Sequence, residues 1–130
     1  MLAAVFEGEG KLVLKERARP KPVRDTDVLL RVTGVGICGT DLHILQVPPA
    51  HPATKGAVLG HEFTGVVAET GPGVKGLSPG QKVLVDPHPG CGVCDECRAG
   101  HPDRCLPLYA NPTAPGHCAT IGIFSDGAMA

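Results

Sequence analysis

Short apolar runs separated by glycine and proline make up most of the chain. Two of them, Leu2–Phe6 and Lys11–Glu16, flank the segment Glu7–Gly10, whose two glycines are typical of a β-hairpin. Similar runs rich in valine, leucine or isoleucine recur at short intervals further on, and each predicts a strand. These further strands cover Asp27–Val35, Phe63–Thr70, Gln81–Asp86 and His117–Phe124.

Several short strands at this spacing predict a mainly β fold, either a barrel or a sandwich, with only short helices. One or two helical turns are expected over Thr40–Gln46, with Thr40 or Asp41 as the cap. Composition supports this prediction, because 18 glycines, 13 prolines and 3% aromatic residues suit tight turns and not long helices. A chain of 130 residues has the size of one domain.

Charge and hydropathy exclude several classes of partner. The net charge is -1, and charges of both signs are interspersed, so we expect no nucleic-acid partner. No apolar run is long enough to cross a bilayer, and the first twenty residues lack a signal-peptide core. We therefore expect no membrane partner and a cytoplasmic, reducing location. In that setting, six clustered cysteines indicate metal ligands more than disulfides.

The strongest motif is Cys91-x-x-Cys94-x-x-Cys97, followed after seven residues by Cys105. Four thiolates at such spacings can surround one zinc ion, and a site filled by protein on all four positions is structural. The alternative is an iron–sulfur cluster, because the first three cysteines share the spacing of bacterial ferredoxins. The longer final gap, and the absence of a proline after Cys105, favour zinc.

A second cluster is divided between two segments of the chain. Cys38 lies in the first segment, and His61 and Glu62 lie in the second. A thiolate, an imidazole and a carboxylate would leave one position of a zinc ion open, as catalytic sites do. Taken alone, Cys38 could be a buried apolar residue and His61 a hydrogen-bonded core histidine. Residue 65 is Gly65, so the zincin motif is not present.

Three motifs in order, GICGTDLH at 36–43, GHE at 60–62 and CGVCDEC at 91–97, resemble the medium-chain, zinc-dependent alcohol and polyol dehydrogenases. Polyol (sorbitol) and threonine dehydrogenases are the most similar branch. The resemblance implies a GroES-like, partly open β-barrel with short helices over residues 1–130, including a structural zinc lobe at 88–105. It also implies that the nucleotide-binding domain and a returning C-terminal segment lie beyond residue 130.

The resemblance assigns a role to each residue of the first two motifs. The residues of the second cluster are expected to hold the catalytic zinc, with Glu62 either a direct ligand or a close neighbour. Thr40 is similar to the hydroxyl residue that hydrogen-bonds the substrate oxygen, and His43 to the next group of the proton relay. Asp41 is similar to the carboxylate that orients the histidine ligand, here His61.

The implied activity is oxidation of a small secondary alcohol or polyol by hydride transfer to NAD or NADP, which would be bound by the absent domain. Two Zn²⁺ ions are expected, one catalytic and one structural. The full-length enzyme is expected to be a homo-oligomer, and this chain alone to be inactive. Gly39, where some members have a basic residue, favours the polyol branch. Two alternatives stay open: a GroES-like interaction module with one zinc, and a zinc-free reductase.

Two further features have plainer interpretations. The segment Gly71–Gly76 matches G-x-G-x-x-G, but the dinucleotide fingerprint must open a helix after a strand. Here Pro79 and Gly80 follow closely, so a turn is predicted. Cys118, the sixth cysteine, is predicted to be a buried strand residue.

Overall fold

The structure, a computed structural model, describes residues 1–109 and 120–130. Five strands and three short helices follow one another along these two ranges. The predicted Cys118 lies outside the described residues, as does the first part of the predicted strand His117–Phe124. The strands are β1 (Leu2–Gly8), β2 (Lys11–Glu16), β3 (Val28–Gly36), β4 (Glu62–Thr70) and β5 (Lys82–Val85). The helices are α1 (Gly39–Ile44), α2 (Asp95–Arg98) and α3 (Leu106–Tyr109), with a 3₁₀ turn at Pro102–Arg104 between the last two.

The predicted hairpin is confirmed by the antiparallel pairing of β1 with β2, in which Val5 faces Val13. The reversal uses Gly8 and Gly10, whose φ angles are 84° and 71°. These left-handed values carry no steric cost for glycine, which explains why the turn falls at this point. β1 runs on to Gly8, two residues beyond the predicted end of the strand.

The other three strands form an antiparallel sheet in the order β3-β4-β5. β4 is central, and Phe63, Gly65 and Val67 on one of its faces are buried. The register places Gly36, the last residue of β3, opposite Glu62, the first residue of β4. The three predicted strands are confirmed, with each bound shifted by at most one residue. This pairing places the first residue of the 36–43 motif beside the last residue of the 60–62 motif.

The main core lies beneath α1 and contains Phe6, Ile44, Leu59 and Ile123. These residues come from β1, from α1, from the loop before β4 and from the last segment of the chain. Burying an aliphatic or aromatic side chain stabilises a fold by about 1.5–3 kcal/mol, so this contact ties four distant segments together. The loop before β4, which carries His61, is thus anchored from several sides.

Within residues 1–109 and 120–130, the two sheets do not close into a barrel, which confirms the expected mainly β, partly open architecture. An open cleft of about 920 Å³ lies along the β3-β4-β5 sheet. Its apolar lining includes Val28, Leu30, Val32, Val83 and Val85. The predicted metal ligands are not among the residues that line it.

Two predictions about local structure are wrong. α1 starts at Gly39 and is capped by Cys38, not by Thr40 or Asp41. Within the described residues, the segment predicted as the end of the last strand is a tight turn, in which the amide of Gly122 donates to the carbonyl of Ser125 at 2.9 Å. The φ of 77° at Gly122 reverses the chain there, which an alternating apolar pattern does not reveal.

The segment Gly71–Gly76 is a turn, as predicted. The amide of Gly73 donates to the carbonyl of Asp25, and that of Val74 to the carbonyl of Gly71. These amides are therefore engaged within the fold, and no helix follows them before Gly80. Across residues 1–109 and 120–130, no helix has the length and apolar character needed to span a membrane.

Candidate metal centres

Cys38 owes its position to the start of α1. Its backbone is extended, with φ -110° and ψ 177°, so the side chain turns back over the first helical turn. The amide of Thr40 donates to Sγ of Cys38 at 3.2 Å. In return, the Asp41 carboxylate accepts a hydrogen bond of 3.0 Å from the amide of Cys38. This reciprocal cap holds the thiol in one orientation.

The structure brings Cys38, His61 and Glu62 together, with their ligand atoms all within 4.8 Å of one another. Sγ of Cys38 lies 3.1 Å from Nε2 of His61. His61 is buried, Cys38 is half-buried and Glu62 is exposed, so the cluster opens to solvent on its carboxylate side. Gly36 leaves the space for that carboxylate, because a Cβ there would lie 2.9 Å from Oε2 of Glu62. This role of Gly36 could not be predicted from its place at the start of the first motif.

Asp41 and His61 form the buried side of the same cluster. Oδ1 of Asp41 lies 3.6 Å from Nδ1 of His61, just beyond hydrogen-bond length. Within the described residues neither buried atom has a hydrogen-bond partner. Buried polar atoms without partners are costly, but a carboxylate facing the second nitrogen of a metal-bound histidine is a common arrangement. The residues therefore fit a metal ion at Nε2 of His61.

Thr40 and His43 lie three residues apart on α1, so their side chains leave the helix on neighbouring parts of one face. Thr40 is half-buried and His43 is exposed. A threonine hydroxyl can both donate and accept a hydrogen bond, and a histidine ring nitrogen can accept one. The pair therefore leads from the interior toward solvent, although its catalytic roles remain predictions.

The four cysteines of the second motif also converge, with their sulfurs within 4.8 Å of one another. The Cys91 and Cys97 sulfurs are 4.0 Å apart, and those of Cys94 and Cys105 are 3.9 Å apart. Zinc–sulfur bonds of about 2.3 Å in a tetrahedron place the sulfurs about 3.8 Å apart. The spacing suits a single ion, whereas an iron–sulfur cluster would need room for several iron atoms and sulfides. All described cysteines have free thiols.

Their different surroundings give two of these thiols very different pKa values. Hydrogen bonds from the amides of Val93 and Cys94 lower the pKa of Cys91 to about 6. For Cys94, the amide of Cys97 lowers the pKa, but burial and the neighbouring thiols outweigh it and raise the pKa to about 12. Four thiolates this close repel one another, so they need a cation before all can ionise.

The open β fold, together with the two clusters of possible metal ligands, is the basis for assigning the chain to a family. The chain belongs to the family described as the alcohol dehydrogenase GroES-like domain, which it matches over residues 24–130.

Several relatives can be named individually. The chain is 39% identical over 105 residues to zinc-type alcohol dehydrogenase B of Aspergillus flavus, covering 81% of this chain and 24% of that protein. It superimposes with a TM-score of 0.83 on galactitol-1-phosphate dehydrogenase of Escherichia coli, at 28% identity, covering 100% of this chain and 34% of the other. A Sinorhizobium meliloti protein assigned as a zinc-binding dehydrogenase, solved with NADP bound, gives a TM-score of 0.77 at 35% identity. The match covers 98% of this chain and 33% of that protein. The chain thus spans about a third or less of each relative's length.

Proposed function

We propose that this chain is the catalytic, zinc-binding portion of a nicotinamide-linked dehydrogenase that oxidises a secondary alcohol or polyol. The observation that carries the proposal is the cluster of Cys38, His61 and Glu62, supported from behind by Asp41. Support also comes from the relatives, which include a zinc-type alcohol dehydrogenase, a polyol-phosphate dehydrogenase and a structure with NADP.

Cys38 and His61 would hold the catalytic zinc, with Glu62 on its exposed side. Three protein ligands leave a position for substrate, as in other catalytic zinc sites. Zinc supplies Lewis acidity that lowers the pKa of an alcohol hydroxyl, while a nicotinamide accepts hydride. The Thr40 hydroxyl would accept the proton of the alcohol while donating its own toward His43, and His43 would release a proton to solvent. Asp41 would hold the imidazole of His61 in one tautomer.

The four-cysteine lobe at 88–105 would hold a second zinc with a structural role. All four positions around that ion would be filled by thiolates, so no substrate could reach the metal. The free energy of metal binding at such a site also contributes to folding. The nicotinamide cofactor would be bound by residues outside this chain, because the G-x-G-x-x-G match at 71–76 is a turn in which the amides of Gly71, Gly73 and Val74 are already engaged.

The number of bound metal ions tests the proposal against its two alternatives. We expect two zinc ions per purified chain by elemental analysis. Cys38→Ser should leave one ion with little change in melting temperature, whereas Cys97→Ser should leave one ion with a lower melting temperature. A parent chain with one ion, lost only in Cys97→Ser, would support an interaction module instead. A chain that binds no zinc would support a zinc-free reductase.

A further inference from the structure

The last ten residues of the chain pack directly against the loop that carries His61. The amides of Gly127, Met129 and Ala128 donate to the carbonyls of Val58, Leu59 and Gly60 at 2.8, 2.9 and 3.0 Å. In the opposite direction, the Asp126 carboxylate accepts a 2.9 Å hydrogen bond from the amide of Val58. The backbone that leads into His61 is therefore held by a segment more than sixty residues further along the chain.

Glycines bring these two segments closer than any side chain would permit. A Cβ at Gly122 would overlap the carbonyl oxygen of Gly60 and would lie 2.8 Å from the amide nitrogen of His61. A Cβ at Gly127 would overlap the same carbonyl oxygen. Gly60 itself has a φ of 98°, and a Cβ there would lie 2.8 Å from Cγ of Met129. Three glycines therefore meet at the peptide bond that precedes His61.

This contact determines where the imidazole can lie. His61 is buried, and Nε2 already lies 3.1 Å from the Cys38 sulfur. Tetrahedral coordination tolerates only small displacements of its ligands, about 0.2 Å in bond length. A shift of the peptide between Gly60 and His61 would therefore move one ligand of the site and leave Cys38 in place.

We propose that Gly122 is a positioning residue for the Cys38–His61–Glu62 centre, acting through Gly60, with Asp126, just after the same turn, as its partner. The inference rests on the proposed function, since it assumes that this centre binds zinc. Neither Gly122 nor Asp126 would touch the metal or the substrate. They would hold the backbone in the position that directs Nε2 of His61 toward the ion.

The test compares Gly122→Ala with Gly76→Ala. Both glycines have nearly the same positive φ, 77° and 79°, so an alanine incurs a similar backbone penalty at either position. Gly76 differs in having nothing within 4 Å of an added Cβ. Each chain is loaded with zinc at the four-cysteine lobe and titrated with Co²⁺, whose visible absorption reports the geometry of the second centre.

We expect Gly122→Ala to bind the second ion at least about tenfold more weakly, with an altered cobalt spectrum. The lobe should keep its zinc, and Gly76→Ala should match the parent in cobalt affinity and spectrum. Gly122→Ala that matches Gly76→Ala would overturn the positioning role alone. A parent chain that binds only one ion would overturn the proposed function and, with it, this inference.

If Gly122→Ala does not fold, judged by circular dichroism and melting, Asp126 decides the question. Asp126→Ala removes the acceptor for the Val58 amide without adding an atom, and we expect a several-fold loss of cobalt affinity. Asp126→Asn retains an oxygen acceptor and should restore the affinity. Parent affinity in Asp126→Ala would overturn the inference.

Discussion

Asp41 acts on two neighbours at once. One carboxylate oxygen accepts the amide hydrogen of Cys38, and the other faces the ring of His61 at 3.6 Å. The side chain is almost completely buried, at 2% exposure. A single residue therefore contacts both segments that supply the proposed ligands, and its carboxylate faces Nδ1 of His61, the ring nitrogen that does not face the Cys38 sulfur.

Replacing Asp41 by asparagine should weaken zinc at the second centre by about 10- to 100-fold, because the carboxylate that orients the ligand histidine is lost while its volume is kept. The four-cysteine lobe should bind as before. Competition with a metal chelator measures both affinities. Asp25→Asn, at an exposed position, is the matched control. Parent-like affinity in Asp41→Asn would show that this carboxylate does not orient His61.

Replacing Thr40 by valine should lower turnover by about a hundredfold in an enzyme that contains this chain together with its nucleotide-binding part, since only the hydroxyl of the proton relay is removed. Turnover is followed by the absorbance of the reduced nicotinamide. Thr33→Val provides the control, because Thr33 is exposed on β3. Equal rates in Thr40→Val and Thr33→Val would remove Thr40 from the relay.

The identity of the clustered residues could be predicted from sequence because few residue types bind zinc, and their spacing limits how they can converge. The geometry confirms that Cys38, His61 and Glu62 approach one another. The capping role of Cys38 could not be predicted, since cysteine is not among the preferred caps. The space that Gly36 leaves for the Glu62 carboxylate could not be predicted either, because it depends on how β3 pairs with β4.

At the scale of elements, a turn stabilised by one carboxylate precedes β3. Asp27 accepts hydrogen bonds from the amides of Val23 and Arg24 at 3.0 and 2.9 Å, and from the Arg24 guanidinium at 2.8 Å. These contacts, the amide of Arg24 first, lower the pKa of Asp27 from 3.8 to about 2. The amide of Gly71 also donates to the carbonyl of Asp27, so this turn meets the 71–76 turn.

The lowered pKa gives a pH dependence of known sign. The folded protein prefers ionised Asp27, so its contribution to stability is complete above the unfolded value of 3.8 and is lost as the pH falls toward 2. The difference in unfolding free energy between parent and Asp27→Asn should therefore be constant above about pH 5 and shrink between pH 4 and pH 2. Urea unfolding at several pH values measures it, with Asp25→Asn as control. A difference that does not change with pH would contradict the assignment.

β4 was predicted well because its alternate residues Phe63, Gly65 and Val67 are buried on one face, and burial of alternate residues sets the strand register. The last segment was predicted wrongly. The backbone hydrogen bonds of its described residues run to Pro87, to Thr54 and within its own turn, and not along a neighbouring strand. Contacts between backbones that meet through glycines leave no periodic signal in the sequence.

For the whole molecule, we expect no reduction of NAD or NADP by the zinc-loaded chain alone with a panel of polyols and secondary alcohols. Hydride transfer depends on holding the nicotinamide against the substrate carbon, and most of the rate comes from that positioning. Robust cofactor reduction, above a Cys38→Ser control, would show that the chain binds nucleotide by itself.

The distance in sequence between His61 and the residues behind it has a consequence for synthesis. The four-cysteine lobe closes over a span of fourteen residues, so it can form as soon as that stretch has left the ribosome. The loop of His61 reaches its full set of contacts only after Asp126 has been synthesised, because the carboxylate of Asp126 accepts a hydrogen bond from Val58, 68 residues earlier. Zinc would therefore bind to the four-cysteine lobe before it could bind to the Cys38–His61–Glu62 centre. In a nascent chain that ends before residue 126, the lobe would be formed and that centre would still lack the segment that holds the loop of His61.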